Sequence, residues 1–178
     1  MTESEHSARV PRMEARRAAR CFCHYSDKKR KEVTNMSKAA VVYWSGTGNT
    51  EEMANQVAAG AKAAGADVSV FTSADFNADM VAQFDAIAFG CPSMGAEELE
   101  ETEFAPMFDA CEPKLRGKKI ALFGSYGWGD GQWMRDWEDR MKAAGATVVG
   151  GEGVICQDAP DDDAKTACEE LGKKLAAV

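Results

Sequence analysis

The sequence from Ser37 onward alternates short apolar runs with longer segments of helical periodicity. The run AAVVYW (39–44) is too apolar for a half-exposed strand, so it predicts a buried one. Further strands are predicted at 67–71, 86–90, 118–124 and 147–155. Amphipathic helices are predicted around 50–64, 104–111, 133–144 and 164–175. This alternation predicts an α/β fold in which helices cover both faces of a parallel sheet.

The first 36 residues differ in composition from the rest of the chain. They contain 9 Lys/Arg and 5 Asp/Glu, whereas residues 37–178 contain 12 Lys/Arg and 24 Asp/Glu. The segment lacks the apolar stretch of a secretory signal. We interpret residues 1–36 as a basic N-terminal extension that is disordered or not native, with a transit peptide as the alternative. Residues 37–178 are predicted to form one ligand-binding domain.

The acidic character of residues 37–178 limits the classes of partner. Phosphates would be repelled, which excludes nucleic acid and favours partners with basic surfaces. No segment approaches the roughly 18 apolar residues of a membrane helix, so no membrane partner is predicted. The six cysteines show neither C-x-x-C nor zinc spacing, which predicts reduced thiols and no metal site. We therefore expect a cytoplasmic monomer.

A first loop, SGTGNT (45–50), separates the first predicted strand from the first predicted helix. It offers three hydroxyls, an amide and two glycines where the positive end of the helix dipole points, which is typical of a phosphate site. Thr50 is predicted to cap the helix. The loop lacks the Lys of a nucleotide triphosphatase and the third glycine of a dinucleotide site, so the ligand is predicted to carry one phosphate. The predicted phosphate-site residues are Ser45, Gly46, Thr47, Gly48, Asn49 and Thr50.

A second loop (91–98) and a third loop (125–131) follow the third and fourth predicted strands, so all three loops emerge at one edge of the sheet. Trp128 lies between two glycines, where an aromatic side chain meets a partner or a planar ligand. Met94 is suited to lie against a ring, and Glu97 to accept a hydrogen bond from a ring N–H. Together with the phosphate loop these features predict a pocket for flavin mononucleotide (FMN). The predicted site residues here are Ser93, Met94, Gly95, Ala96, Glu97, Ser125, Tyr126, Gly127, Trp128, Gly129 and Asp130.

Two further tryptophans, Trp133 and Trp137, lie one helical turn apart and are predicted to pack in the core rather than in the pocket.

The motifs VYWSGTGNTE, GKKIALFGSYGWGDG and MRDWEDRM resemble those of the flavodoxins, of the short-chain kind found in clostridia. The resemblance covers about residues 38–178. It implies a flavodoxin-like three-layer sandwich whose five-stranded parallel sheet has the order 2-1-3-4-5, with non-covalently bound FMN. It also implies that Met94 and Trp128 cover the two faces of the flavin. Glu97 would then bind the flavin N(3) side, and the Gly95 carbonyl would meet N(5).

The resemblance implies a low-potential one-electron carrier that shuttles electrons between redox enzymes and replaces ferredoxin in that role. The residues agree, since no catalytic pair lies near the loops and an enzyme is not predicted. The acidic run EELEE (97–101) and Glu103 are interpreted as a docking surface for basic patches on partner oxidoreductases. The alternative for this cluster is a solvated face without a partner.

Two other functions fit parts of the pattern. An FMN-dependent quinone reductase on the same fold would need space for a substrate above the flavin, which Trp128 is expected to occupy. A phosphoacceptor signalling domain would need an Asp at a strand end, but the third predicted strand ends with Phe89 and Gly90.

The residue after Gly95 generates a prediction about the potential. The resemblance implies that the 95–96 peptide turns over to accept a hydrogen bond from N(5) after one electron is added. Ala96 resists the positive φ of the unturned form, so it is expected to favour the turned form. Ala96→Gly should therefore lower the potential of the first one-electron couple in a spectroscopic redox titration. An unchanged potential would show that Ala96 has no such effect.

Overall fold

The computed structural model describes residues 36–177, which contain six parallel strands and four α-helices. The strands are β1 (Lys38–Tyr43), β2 (Asp67–Thr72), β3 (Ala86–Gly90), β4 (Lys119–Tyr126), β5 (Thr147–Val148) and β6 (Val154–Gln157). The helices are α1 (Asn49–Ala63), α2 (Phe104–Cys111), α3 (Gln132–Ala143) and α4 (Asp162–Ala176). The predicted extension lies outside the described residues except for Met36, so its interpretation stays a prediction. None of the described helices has the length and apolar character that crossing a membrane would require.

The strands pair in the order β2-β1-β3-β4-β5, and every pair is parallel. The predicted order 2-1-3-4-5 is confirmed. In register, Tyr43 pairs with Gly90, and Gly90 pairs with Phe123. The ends of β1 and β3 therefore lie level beside β4, and the loops that follow these three strands open at one edge.

The fifth strand position, predicted within 147–155, is present but broken into two short strands. β5 pairs with the start of β4, and β6 pairs with its end. The five residues 149–153 between them face a gap of only two residues on β4. Gly150 and Gly151 have φ values of 86° and 88°, which are left-handed conformations that end strand geometry and push the extra residues out of the sheet.

Alternate side chains of each central strand point to opposite helix layers. In β1, Ala39 and Val41 pack in the cluster that contains the buried faces of α1 and α4. Ala40 and Val42 pack in the cluster that contains those of α2 and α3. Because each of these four residues is fully buried, the sheet is the middle layer of a three-layer sandwich.

The helices α1 and α4 touch through their backbones. A Cβ atom added at Gly172 would overlap the Val57 carbonyl oxygen, and one added at Gly60 would overlap the Glu169 carbonyl oxygen. Glycine is required at both positions because the opposite helix occupies the space of a side chain. The two helices that cover this face of the sheet therefore pack with their backbones in direct contact.

The carboxylate of Glu100 fixes the start of α2. One oxygen accepts hydrogen bonds from the Glu103 and Phe104 N–H groups, each at 2.8 Å. The other accepts from the Thr102 N–H at 2.9 Å and from the Thr102 hydroxyl. Burial alone would raise the pKa of Glu100, but these hydrogen bonds to the charged form lower it to about 2. The ionised carboxylate therefore acts as the N-terminal cap of this helix.

The helix contact predicts the effect of Gly172→Ala. Alanine normally stabilises a helix relative to glycine, but here the methyl group must force α1 and α4 apart. We expect the free energy of unfolding to fall by about 2 kcal/mol in urea denaturation. Gly127→Ala is the matched control, since its methyl group would meet only Asp158 Oδ1 at 3.8 Å. Equal stability of the two variants would contradict the tight contact.

The Glu100 cap predicts a pH-dependent loss in Glu100→Gln. The folded-state pKa lies below the unfolded value of 4.5, so the stabilisation is complete above that pH and disappears as the pH falls towards 2. We expect the variant to be about 3 kcal/mol less stable at pH 7, with the difference shrinking below pH 4.5. Denaturation curves at several pH values measure this. Glu101→Gln, at an exposed neighbour, should show no such trend, and a pH-independent loss in Glu100→Gln would contradict the assigned charge.

Candidate functional site

The three loops at the carboxyl edge of the sheet line a cavity of about 320 Å³. This edge is where open parallel sheets bind ligands. Eight of the predicted site residues line it: Gly46, Thr47, Asn49, Ser93, Met94, Ser125, Tyr126 and Gly127. Three residues that sequence reasoning missed line it as well: Trp44, Pro92 and Asp158.

The N-terminus of α1 opens into the first loop. The helix begins at Asn49, and the capping position is Gly48 with φ 92°. No side chain within residues 36–177 caps this end. The Ser45 hydroxyl instead accepts a hydrogen bond from the Gly48 N–H at 3.0 Å, which shapes the loop. The first N–H groups of α1 therefore remain available for an anion, supported by the helix dipole.

Thr50 does not cap α1, so that prediction was wrong. It lies within the first turn, is 1% exposed, and its hydroxyl lies 3.2 Å from the Ser125 hydroxyl. A glycine with positive φ takes the capping position because the chain must turn sharply there. The Thr50 hydroxyl joins the base of the first loop to β4 from inside the protein.

Trp44 lines the cavity, and its ring explains why residue 46 is a glycine. A Cβ atom at Gly46 would lie 2.9 Å from the Trp44 ring, so the ring occupies the space of a side chain there. The indole N–H donates to Glu103 Oε2 at 3.1 Å. The position directly after a buried strand was the sequence signal for this residue, but AAVVYW was interpreted as strand throughout.

The second loop is folded back on itself. Met94 N–H donates to the Glu98 carbonyl and Glu98 N–H to the Met94 carbonyl, both at 2.8 Å. Gly95 has φ 50° and Glu97 has φ 59°, whereas Ala96 keeps a negative φ. Positive φ at Gly95 confirms the predicted use of glycine at this turn. The Met94 side chain stays 40% exposed at the cavity.

Glu97 points towards α3 as well as towards the loops. Its Oε1 accepts hydrogen bonds from the Gly131 and Gln132 N–H groups, each at 3.0 Å. No local sequence pattern indicates this contact, because its partners are 34 and 35 residues away. Both bonds go to one oxygen, which leaves Oε2 for a further donor such as a ring N–H.

In the third loop, the Trp128 side chain is 61% exposed, an unusual state for the largest apolar residue type. The Asp130 carboxylate lies away from the cavity, where it pairs with Arg135 at 2.8 Å. Trp133 and Trp137 are each 2% exposed, which confirms their prediction as core residues.

Asp158 is the one charged residue among the described residues that line the cavity. Its backbone has φ 55°, and its N–H donates to the Tyr126 carbonyl at 2.8 Å. The strand β6 ends at Gln157, so its loop opens at the same edge as the other three. The parallel topology was the signal that could have identified this fourth loop.

The thiol beneath the second loop is not a nucleophile at neutral pH. Cys91 is fully buried, and burial raises the pKa of its thiol to about 12. It accepts a hydrogen bond from the Glu100 N–H at 3.3 Å. Cys91 therefore acts as part of the packing that supports the second loop.

The residues of the cavity fit FMN. An uncapped helix N-terminus with hydroxyl and amide neighbours suits one phosphate group without a Lys or Arg contact. Met94 lines the cavity and leaves apolar surface exposed there, of the kind that a planar ring covers. Trp128 is exposed on the neighbouring loop and is not among the residues that line the cavity.

Comparisons with known proteins agree with this geometry. The flavodoxin family model matches residues 41–171. A flavodoxin of Megasphaera elsdenii is 52% identical over 136 residues, which are 76% of this chain and 96% of that protein. A flavodoxin of Clostridium beijerinckii is 49% identical over 138 residues, 78% of this chain and 99% of that one. The solution structure of two-electron reduced Megasphaera elsdenii flavodoxin superposes with a TM-score of 0.71 at 49% identity, covering 79% of this chain and 99% of that chain.

The matched region contains all three predicted loops, the end of β1, the whole of β3 and β4, and most of the closing helix. The chain therefore belongs to the flavodoxin family, as an FMN-binding electron-transfer protein of the short-chain, clostridial type.

Proposed function

We propose that this protein is a low-potential one-electron carrier that takes electrons from one redox enzyme and delivers them to another, in the role that ferredoxins also fill. The observation that carries the proposal is the cavity itself. Its lining combines neutral hydrogen-bond donors, apolar side chains and a single carboxylate, and it lacks an acid–base pair among the described residues. Such a lining suits holding a redox cofactor better than transforming a substrate.

The phosphate of FMN would be held at the N-terminus of α1. Thr47 and Asn49 line the cavity there, beside the backbone of Gly46. Ser45 and Thr50 act behind them, because their hydroxyls already bond the Gly48 N–H and the Ser125 hydroxyl. In the proposed phosphate site, Thr47 and Asn49 would therefore contact the phosphate directly, and the Ser45 and Thr50 hydroxyls would hold the loop in shape.

The side chains of Met94 and Trp128 would cover the two faces of the flavin ring and exclude water from it. Met94 belongs to the second loop and Trp128 to the third, so the ring would lie between the loops. FMN, when bound, supplies reversible one-electron transfer at this position. With a flavin there, Trp128 would leave no space above the ring for a quinone, which favours the carrier over the reductase.

The low potential follows from the charge around the second loop. Glu97, Glu98 and Glu101 line the groove beside it, and residues 37–178 contain twice as many acidic as basic residues. Negative charge near the cofactor makes an added electron less favourable, so it lowers the potential.

The exposed members of the acidic cluster would dock basic partner surfaces. Glu98, Glu101 and Glu103 are exposed, but Glu100 is buried as the cap of α2 and cannot take part. Such surface charges steer association and form short-lived complexes that salt weakens. A monomer that exchanges between two partners needs contacts of this kind.

Anaerobic titration of the FMN-loaded protein with dithionite tests the proposal. The visible spectrum should pass through an intermediate with a long-wavelength band that rises and then falls, because the electrons are taken up one at a time. NADH oxidation by the purified protein, with and without quinone, should stay at background. Direct bleaching without an intermediate, together with quinone-dependent NADH oxidation, would favour the reductase instead. Failure to bind added FMN would contradict the assigned site.

A further inference from the structure

The helix α3 lacks a capping side chain from its own neighbourhood. Its capping position is Gly131, which has φ 87° and no side chain. The carboxylate just before it, on Asp130, is held by Arg135 at 2.8 Å. The cap comes instead from Glu97 on the second loop, whose Oε1 accepts from the Gly131 and Gln132 N–H groups at 3.0 Å each. A carboxylate at this position also interacts favourably with the helix dipole.

The surroundings of Glu97 are arranged for this contact. A Cβ atom at Gly129 would lie 2.5 Å from the Glu97 carboxyl carbon and from Oε1, so only glycine leaves room for the carboxylate. Glu97 itself has φ 59°, a conformation that glutamate adopts rarely. The two charge-assisted hydrogen bonds offset that unfavourable backbone.

The contact connects the second loop to the third, and both loops contribute residues to the cavity lining. Met94 is tied to Glu98, the residue after Glu97, by the reciprocal 2.8 Å backbone hydrogen bonds. Trp128 lies three residues before Gly131. A fixed Glu97 carboxylate therefore limits how far the second and third loops can move apart.

We propose that Glu97 is a latch, a positioning residue that joins the second loop to the N-terminus of α3 and limits the spacing between the second and third loops. Its consequence for FMN rests on the proposed function, but the latch itself is a property of the protein alone. When it is removed, the loops separate more often, and FMN leaves the cavity faster. Glutamine in its place keeps an oxygen that can accept the same hydrogen bonds without the charge.

Amide hydrogen exchange in the protein without FMN tests the latch. In Glu97→Ala, exchange of the Gly131 and Gln132 N–H groups should be about tenfold faster than in the wild type, because both have lost their acceptor. Glu97→Gln should recover most of the protection. Glu101→Gln, an equal change of charge at an exposed residue of the same cluster, should leave both amides unchanged. If Glu97→Ala does not fold, Glu97→Asp, whose carboxylate is one methylene shorter, gives the comparison.

The dissociation rate of FMN is the second readout. It should rise about tenfold in Glu97→Ala and much less in Glu97→Gln, measured by the return of flavin fluorescence on dilution. Unchanged amide exchange in Glu97→Ala would overturn the latch even if FMN binding weakened. Faster amide exchange with an unchanged FMN dissociation rate would overturn the role of Glu97 in positioning the two loops. A wild type that binds no FMN but shows the expected exchange would contradict the proposed function and leave the latch intact.

Discussion

The parallel pairing of β1, β3 and β4 is the constraint on which the rest of the site depends. The register places Tyr43, Gly90 and Phe123 side by side. The loops after β1 and β3 therefore start level, and β4 extends to Tyr126 before its own loop begins at the same edge, beside the N-terminus of α1. Every other feature of the cavity is an adjustment of loops whose origins are already set by backbone hydrogen bonds in the sheet.

The strands were predictable because buried parallel strands leave long apolar runs in a sequence, and these runs alternated with helical periodicity. Their order in the sheet came from the resemblance to the flavodoxins, not from the periodicity. The sequence VGGEG at 149–153 interrupts the apolar pattern, but it does not show that the segments on its two sides both pair with β4, so the broken strand position was not predicted. Thr50 was misplaced for a related reason. A hydroxyl at the start of a helix has the same local sequence whether it caps the helix or faces inward to Ser125.

The acidic run at 97–101 shows where sequence reasoning about the site stops. Glu97 and Glu100 each bond the N-terminus of a different helix, while Glu98 and Glu101 remain in solvent. Four glutamates within five residues thus separate into a contact with α3, the cap of α2 and a charged surface. Glu100 lies only four residues before α2, but Glu97 reaches the start of α3 across 34 and 35 residues, so that second contact depends on where α3 begins in space. Trp44 and Asp158 were missed because lining a cavity is likewise a property of the folded edge.

The charge of the cavity lining has a consequence for how the cofactor responds to its medium. Sites that grip phosphate with lysine or arginine release it as salt screens the attraction. Here the lining residues offer only neutral donors and the Asp158 carboxylate, inside a protein body with a large excess of negative charge. Added salt would then screen the repulsion between the negative protein and the phosphate, because the described lining residues include no lysine or arginine whose attraction could be screened. The protein would therefore retain its flavin better at high salt concentration and lose it most readily at low salt concentration.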